Sequence, residues 1–74
     1  MNIQTLVRMA NQIGCFFEPM PDRQQALEDI AQHVRKFWEP RMRRQMLEYL
    51  DQQKGDGLTH IVRLALTQHR SLLE

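Results

Sequence analysis

The most informative part of the sequence is IAQHVRKFWEPRMRR, which runs from Ile30 to Arg44. Apolar residues recur at helical spacing in its first half, as at Ile30 and Val34, so this half predicts the last turns of a helix. Pro40 disfavours a helical backbone at the preceding Glu39, and proline is itself common at the first position of a new helix. The stretch therefore predicts a corner at which one helix ends and the next begins.

The same amphipathic spacing continues on both sides of this corner and predicts four helices. They cover about residues 3–17, 22–37, 40–53 and 58–73. Asn2 and Asp22 are suited to cap the first two helices, and the glycine-rich turn 55–57 ends the third. We predict an all-α fold, a small bundle of three to four short antiparallel helices in one domain over residues 1–74. An extended helical hairpin completed by a partner is the alternative.

Helical spacing also predicts which side chains form the core. Either Phe37 or Trp38 completes the apolar face of the second helix. Arg44 and Glu48 lie four residues apart on the third helix, where opposite charges can pair. The other predicted inward residues are Ile3, Leu6, Val7, Ala10, Ile13, Phe17, Ala26, Leu27, Ile30, Ala31, Val34, Met42, Met46, Leu47, Leu50, Leu58, Ile61, Val62, Ala65, His69, Leu72 and Leu73.

Length and composition restrict the classes of function that are compatible with this chain. The chain has 74 residues, of which 42% are hydrophobic and 26% charged, as expected of one globular domain. A domain of this size has little core to give up for a substrate cleft, so we expect no enzyme and no catalytic residue. The single cysteine is typical of a reducing compartment. No apolar run reaches membrane-spanning length and no secretory signal is visible, so we expect a cytoplasmic protein without membrane contact.

Positive charge is concentrated at the corner. The chain has a net charge of +1, yet residues 33–44 contain five basic side chains and only one acidic one. Tryptophan and arginine dominate binding hot spots, and guanidinium groups suit carboxylates or phosphates. We therefore predict a partner-binding corner patch. It consists of Arg35, Phe37, Trp38, Arg41, Arg43 and Arg44. In the alternative interpretation, the two aromatic residues close one end of the core and the arginines are simply solvated.

Other residues that could carry chemistry give weaker indications. His33, His60 and His69 do not have the spacing of a zinc site, so we expect no metal. Cys15 has no second cysteine nearby, and we expect its side chain to be buried or half-buried. No phosphate-binding loop is present, so no cofactor-binding residue is predicted. A small nucleic-acid-binding or regulatory module is the alternative function, but DNA-binding domains are usually strongly basic and this chain is not.

Specific motifs lie in the first two thirds of the chain. They are LVRMANQIG from Leu6 to Gly14, Phe16-Phe17, Pro21-Asp22, and IAQHVRKFW from Ile30 to Trp38 followed by Pro40 to Arg43. The pattern Phe-Trp-x-Pro-Arg-Met-Arg is not required for helix formation, which makes it specific. With these motifs the chain resembles the delta subunits of NAD-dependent formate dehydrogenases that contain molybdenum or tungsten. The residues after Gly57 carry only a generic amphipathic pattern.

The resemblance implies an accessory subunit of a cytoplasmic enzyme complex. Large partner subunits would carry the molybdenum or tungsten pterin, iron–sulfur clusters, FMN and the NAD site, and would oxidise formate to carbon dioxide. The delta subunit would carry no cofactor and would support assembly, stability or cofactor maturation of its expected partner, the pterin-bearing alpha subunit. A lone cysteine agrees with this, because an iron–sulfur cluster normally needs four thiolates.

The corner patch is the expected contact with the alpha subunit. Phe37 and Trp38 would anchor there, and the arginines would pair with carboxylates of the alpha subunit. In a second version the arginines would touch the pyrophosphate of the pterin dinucleotide during its insertion. A homodimer is expected for the isolated chain, because an apolar corner would otherwise lack a partner.

Overall fold

The computed structural model describes all 74 residues and contains helices only. The helices are α1 (Ile3–Phe17), α2 (Arg23–Phe37), α3 (Pro40–Gln53) and α4 (His60–Gln68), followed by a short 3₁₀ turn at Arg70–Leu72. The radius of gyration is 10.9 Å and the principal extents are 32 × 21 × 18 Å. The prediction of an all-α bundle is confirmed. No helix combines the length and the apolar character needed to cross a membrane.

The first three helices begin at the residues whose chemistry favours a start. The Asn2 side chain accepts a hydrogen bond from the Gln4 N–H at 2.7 Å, and the Asp22 side chain accepts one from the Gln25 N–H at 3.2 Å. Each bond satisfies a backbone donor that the first turn of a helix leaves free. α3 starts directly at Pro40, with Glu39 in an extended conformation before it. The corner therefore has the backbone geometry that its proline predicts.

A glycine-containing loop ends α3 and leads into α4. Lys54, Gly55 and Gly57 all have positive φ angles, of 57°, 67° and 91°. Two of these three positions are glycines, which adopt this left-handed backbone without a steric penalty. The Tyr49 hydroxyl donates a hydrogen bond to the Asp56 carbonyl at 2.6 Å and fixes the loop on α3. The loop thereby reverses the chain within a few residues.

The core lies where α2 and α4 pack together, with α1 and α3 closing its sides. The buried apolar residues are Leu6, Val7, Ala10, Ala26, Leu27, Ile30, Ala31, Val34, Trp38, Met46, Leu47, Leu58, Ile61, Val62, Ala65, Leu66 and Leu73. Helical spacing predicted all of these except Leu66, with Trp38 as one of two alternatives beside Phe37. Ile3, Ile13, Phe17, Met42, Leu50 and Leu72 lie half-buried against the core. No polar or charged residue is buried in it.

Gly14 is buried because α1 and α4 approach each other closely at this point. A methyl group placed on its Cα would overlap with Cγ2 of Val62 and lie 3.4 Å from Cγ2 of Ile61. A glycine normally weakens the interior of a helix. Here it allows two helices to meet at a distance that no larger residue permits.

The C-terminal segment differs from the prediction of one helix over residues 58–73. α4 ends at Gln68, because the backbone leaves the helical region at His69, which has φ −110° and ψ 37°. The 3₁₀ turn that follows brings the Leu73 side chain back onto the core, where it is 2% exposed. Arg70 holds the turn on α3 through two hydrogen bonds to Asp51, at 2.9 and 2.8 Å.

The predicted ion pair between Arg44 and Glu48 is wrong. Both residues are exposed on α3 and form no salt bridge. The ion pairs of the chain are instead Arg23–Glu18, Arg70–Asp51 and Arg70–Glu74. An exposed pair stabilises a helix by only a few tenths of a kcal/mol. Such a small gain is easily outweighed by the conformational entropy of two long side chains.

Candidate partner interface

The two aromatic residues of the corner have opposite environments. Trp38 is 5% exposed and belongs to the core, whereas the neighbouring Phe37 is 69% exposed. Phe37 is seven residues after Ile30, so helical spacing places both on one side of α2. The helix ends at Phe37, however, and the extended backbone of Trp38, with φ −90° and ψ 137°, turns the indole inward. Trp38 is therefore not the surface anchor that the corner patch was predicted to offer.

An apolar groove of about 400 Å³ opens beside the corner. We call it the aromatic groove. Its lining consists of Met9, Gln12, Ile13 and Phe16 from α1, His33 and Phe37 from α2, and Trp38 and Met42 from the corner and α3. Among these apolar side chains, those of Phe16 and Phe37 are by far the most exposed, at 78% and 69% of their accessible surface. Exposed apolar patches with polar rims mark binding sites on protein surfaces.

Aromatic rings form a continuous series along this groove. The Phe16 and Phe17 rings meet edge to face with centroids 5.1 Å apart. The Phe17 ring lies 6.3 Å from the His33 ring, which in turn lies 4.6 Å from the Phe37 ring. Ring pairs at these separations add packing energy beyond their buried area. The series connects the exposed rings of Phe16 and Phe37 through Phe17 and His33.

The four arginines of the corner patch differ in exposure and in their hydrogen bonds. Arg41 and Arg44 are exposed and make no hydrogen bond or ion pair within the chain. Arg35 donates from Nη1 to the Leu72 carbonyl at 3.0 Å, so it partly fixes the C-terminal turn. Arg43 is half-buried, and its Nε has no hydrogen-bond partner. Of the four, only Arg41 and Arg44 are both exposed and free of hydrogen bonds and ion pairs.

Phe16 is the most exposed of the groove residues that the corner patch did not include. The sequence nevertheless contains a signal for its exposure. Adjacent residues in a helix point about 100° apart, so two consecutive phenylalanines cannot both face the core. Because Phe17 continues the apolar face of α1, Phe16 has to point away from that face.

A second groove, about 540 Å³ in volume, lies on another side of α1. It is lined by Gln4, Val7, Arg8, Asn11, Gln12, Cys15 and Gly57. Cys15 is exposed here, so the prediction of a buried or half-buried thiol is wrong. The buried position on this turn of α1 is taken by Gly14, and the next residue consequently points towards solvent. Most of its lining residues have polar side chains, although the surface they present is mainly apolar, and it lacks exposed aromatic residues.

Two other polar side chains, those of Asn11 and Arg70, connect different parts of the fold. Asn11 donates from Nδ2 to the Gly57 carbonyl at 3.0 Å and accepts from the Thr59 N–H at 2.9 Å. Hydrogen bonding to the Asp51 carboxylate, more than the ion pair itself, raises the pKa of Arg70 above its ordinary value, and Glu74 adds to this. No group of three or more His, Cys, Asp or Glu side chains is arranged to hold a metal ion.

The chain matches one protein family over most of its length. The model of the family described as NADH-dependent formate dehydrogenase delta subunit FdsD covers residues 5–66 of the 74. The chain belongs to this family. No curated protein and no solved structure matches the sequence.

Membership of the delta subunit family agrees with the position of the aromatic groove. Every residue that lines the groove lies within the matched range, between Met9 and Met42. The C-terminal 3₁₀ turn of this delta subunit lies outside the match. Because the family is a subunit of formate dehydrogenase, a member associates with the other subunits of that enzyme.

Proposed function

We propose that this chain is a non-catalytic accessory subunit of a cytoplasmic NAD-dependent formate dehydrogenase. It binds the large, pterin-bearing alpha subunit through the aromatic groove and the arginines beside it. The observation that carries the proposal is the exposure of Phe16 and Phe37 at one apolar groove, in a chain that otherwise buries its large apolar residues well. Only Met1, at the chain end, is a third large hydrophobic residue in that class.

Binding at this groove has an energetic reason, because the Phe16 and Phe37 rings leave apolar surface in contact with water. Burying a phenylalanine side chain stabilises a protein by roughly 1.5–3 kcal/mol relative to leaving it exposed. A small domain has a total stability of only about 5–15 kcal/mol, so two exposed rings are a substantial unrealised gain. A partner surface that covers Phe16 and Phe37 recovers it. The ring series through Phe17 and His33 connects both phenylalanines beside the groove.

The cofactors of the enzyme belong to the partner subunits in this proposal. The alpha subunit and its companions carry the molybdenum or tungsten pterin, the iron–sulfur clusters, FMN and the NAD site. The residues of this chain do not fit an iron–sulfur cluster, which needs about four thiolates, since Cys15 is the only cysteine. The chain supports assembly, stability or cofactor maturation of the alpha subunit, because a protein that binds only the folded form of its partner stabilises that form.

A protein contact accounts for the corner better than a contact with the pterin pyrophosphate. A phosphate-binding site would use Arg41 and Arg44, which are uncommitted, but it would not use Phe16 and Phe37. Small-molecule sites are enclosed pockets that surround most of their ligand. The aromatic groove is an open surface with a mainly apolar lining, which suits side chains of another protein.

The test is co-purification of the enzyme subunits with a tagged form of this chain. The double variant Phe16→Ala/Phe37→Ala should lower the amount of alpha subunit recovered by at least about tenfold, since both rings are proposed as binding anchors. Phe37→Leu is the matched control, because it keeps an apolar side chain at the same position. Circular dichroism of the purified variants verifies that they fold.

Two further measurements, of metal content and of enzyme activity, complete the experiment. The molybdenum or tungsten content per alpha subunit, and formate oxidation by the purified complex, should both fall when the chain is omitted during co-expression. Full recovery of the alpha subunit with a folded double variant would contradict the proposed interface. Formate turnover by the isolated chain would contradict its accessory role, and strongly salt-dependent binding of DNA would support the alternative of a nucleic-acid-binding module.

A further inference from the structure

The geometry of the aromatic groove points to the kind of segment that it binds. We infer that the occupant is an acidic amphipathic helix of the partner, with about two turns in contact and apolar residues at positions i, i+3 or i+4, and i+7. This inference rests on the proposed function and specifies the chemistry of the partner segment.

The walls of the groove have the dimensions of two helical turns. Met9, Ile13 and Phe16 line one wall and are spaced by four and three residues along α1. This span of seven residues corresponds to about 10 Å along the helix axis. His33 and Phe37 line the opposite wall, one turn apart on α2. A helix that carries apolar residues at i, i+3 or i+4, and i+7 presents side chains over the same length.

The lining of the groove favours aliphatic or aromatic side chains as anchors. Trp38 and Met42 contribute to the lining, and the indole is fixed by its burial in the core. Methionine side chains such as Met9 and Met42 adapt to differently shaped neighbours. An exposed strand edge, which would bind an extended peptide instead, is missing because the chain contains helices only.

The charge around the groove selects an acidic occupant. Lys36, Arg41 and Arg44 are exposed and have no ion pair within the chain, and they belong to residues 33–44, the stretch that supplies four of the lining residues of the groove. Glu39 is the one acidic residue of this stretch, so five basic side chains stand against a single carboxylate there. Carboxylates on either side of the apolar stripe of a partner helix would complement these cations and fix its orientation.

The decisive experiment is site-specific photo-cross-linking within the assembled enzyme. Benzoylphenylalanine replaces Phe16 in one full-length variant and Phe37 in another, positions whose exposure leaves room for the larger ring. Each variant is co-expressed with the other subunits, irradiated, and analysed by mass spectrometry. The cross-linked peptide should map to a partner segment with net negative charge and the apolar spacing given above. The same replacement at Gln53, at the far end of α3, is the control position and should not cross-link to that segment.

A charge-reversal pair tests the electrostatic part. Arg44→Glu should lower the recovery of the partner subunit by about fivefold, and the difference from wild type should shrink as salt is raised. Lys54→Glu is the matched control, since Lys54 is an exposed cation beyond the other end of the same helix and should leave recovery unchanged.

The outcomes separate this inference from the proposed function. Co-purification with cross-links to a basic segment, to a segment without helical apolar spacing, or from the Gln53 position alone would overturn the inference and leave the accessory role intact. Cross-links only between two copies of this chain within the purified complex, with none to a partner subunit, would overturn it as well. Failure of the wild-type chain to co-purify would contradict the proposed function itself.

Discussion

Adjacent aromatic residues divide between core and surface at two positions in this chain. Phe17 packs against the core while Phe16 remains exposed, and Trp38 is buried while Phe37 remains exposed. In both pairs the inner residue contributes to folding and the outer residue is available for binding. Substitutions at the inner and outer positions should therefore affect different properties of the protein.

The Phe37-Trp38 pair gives the first prediction. Trp38→Ala should lower the free energy of unfolding by about 3–5 kcal/mol, because it leaves a cavity in the core. Phe37→Ala should change the same quantity by no more than about 0.5 kcal/mol, since the lost side chain is mostly in water. Urea denaturation followed by circular dichroism measures both. Equal losses in the two variants would mean that the burial assigned to Trp38 is incorrect.

Gly14 gives a second prediction at this scale. Gly14→Ala should destabilise the fold by about 1–3 kcal/mol, because the added methyl group meets Val62 and forces α1 and α4 apart. The neighbouring substitution Cys15→Ala is the control and should have little effect, since that side chain is exposed. Thermal denaturation distinguishes the two. If shortening the opposing side chain through Val62→Ala fails to reduce the cost of Gly14→Ala, the steric explanation is wrong.

At the scale of the helices, α1 and α4 are joined by a side chain as well as by packing. Asn11 on α1 bonds both the Gly57 carbonyl and the Thr59 N–H, and so fixes the loop that leads into α4. Thr59 occupies the N-cap position of α4 but makes no capping bond with its own side chain. The amide of Asn11 thus satisfies backbone groups at the start of a different helix.

This contact leads to a third prediction. Asn11→Leu should destabilise the protein by about 0.5–1.5 kcal/mol, because two solvent-exposed hydrogen bonds to the backbone are lost and leucine cannot replace them. Gln12→Leu changes the next residue, which is exposed, and serves as the control. Amide hydrogen exchange should report faster exchange of the Thr59 N–H in the Asn11 variant alone. Unchanged protection of that amide would contradict the role assigned to Asn11.

The whole molecule combines an apolar groove with unpaired basic side chains. Salt should therefore have opposite effects on binding to an acidic partner and on self-association. In the assembled enzyme, added salt should weaken the contact of Arg41 and Arg44 with an acidic partner. In the isolated chain, the groove of one copy can cover that of another, but the two basic corners repel. Salt screens this repulsion and should favour self-association.

The fourth prediction follows from this difference. The isolated chain should form a weak homodimer whose dissociation constant falls as salt rises from low to physiological concentration. Phe37→Glu should abolish the dimer, because it places a charge within the apolar contact, and Gln53→Glu should not. Sedimentation equilibrium at several salt concentrations measures the effect. A dimer that weakens with salt, or that persists in the Phe37 variant, would show that the groove is not the contact surface.

The fold was largely predictable because its helices depend on local chemistry. The caps at Asn2 and Asp22 and the start of α3 at Pro40 each follow from the backbone preferences of a few adjacent residues. The end of α4 was not predictable in this way. The apolar pattern continues to Leu73, and only the contact of the turn with the core and with Asp51 makes a 3₁₀ turn preferable to further helix.

The candidate site was predictable in position but not in composition. Clustered arginines and aromatic residues in the sequence indicated the corner at residues 35–44, and the groove opens beside it. The prevalence of tryptophan in binding sites predicted Trp38 as a surface anchor, and helical spacing left either Phe37 or Trp38 for the core. The backbone conformation of Trp38 turns it into the core. Met9, Ile13 and Phe16 joined the site only through the packing of α1 beside α2, a contact between segments distant in sequence.

The amino-acid sequence by itself determined the four helices, their caps, most of the core and membership of the delta subunit family, because these depend on short-range spacing and specific motifs. The tertiary structure decided which ring of each aromatic pair is buried, where the last helix ends and which residues from α1 complete the groove. Those features depend on competition between side chains for one limited core. The outcome of that competition is fixed only when all helices are packed together.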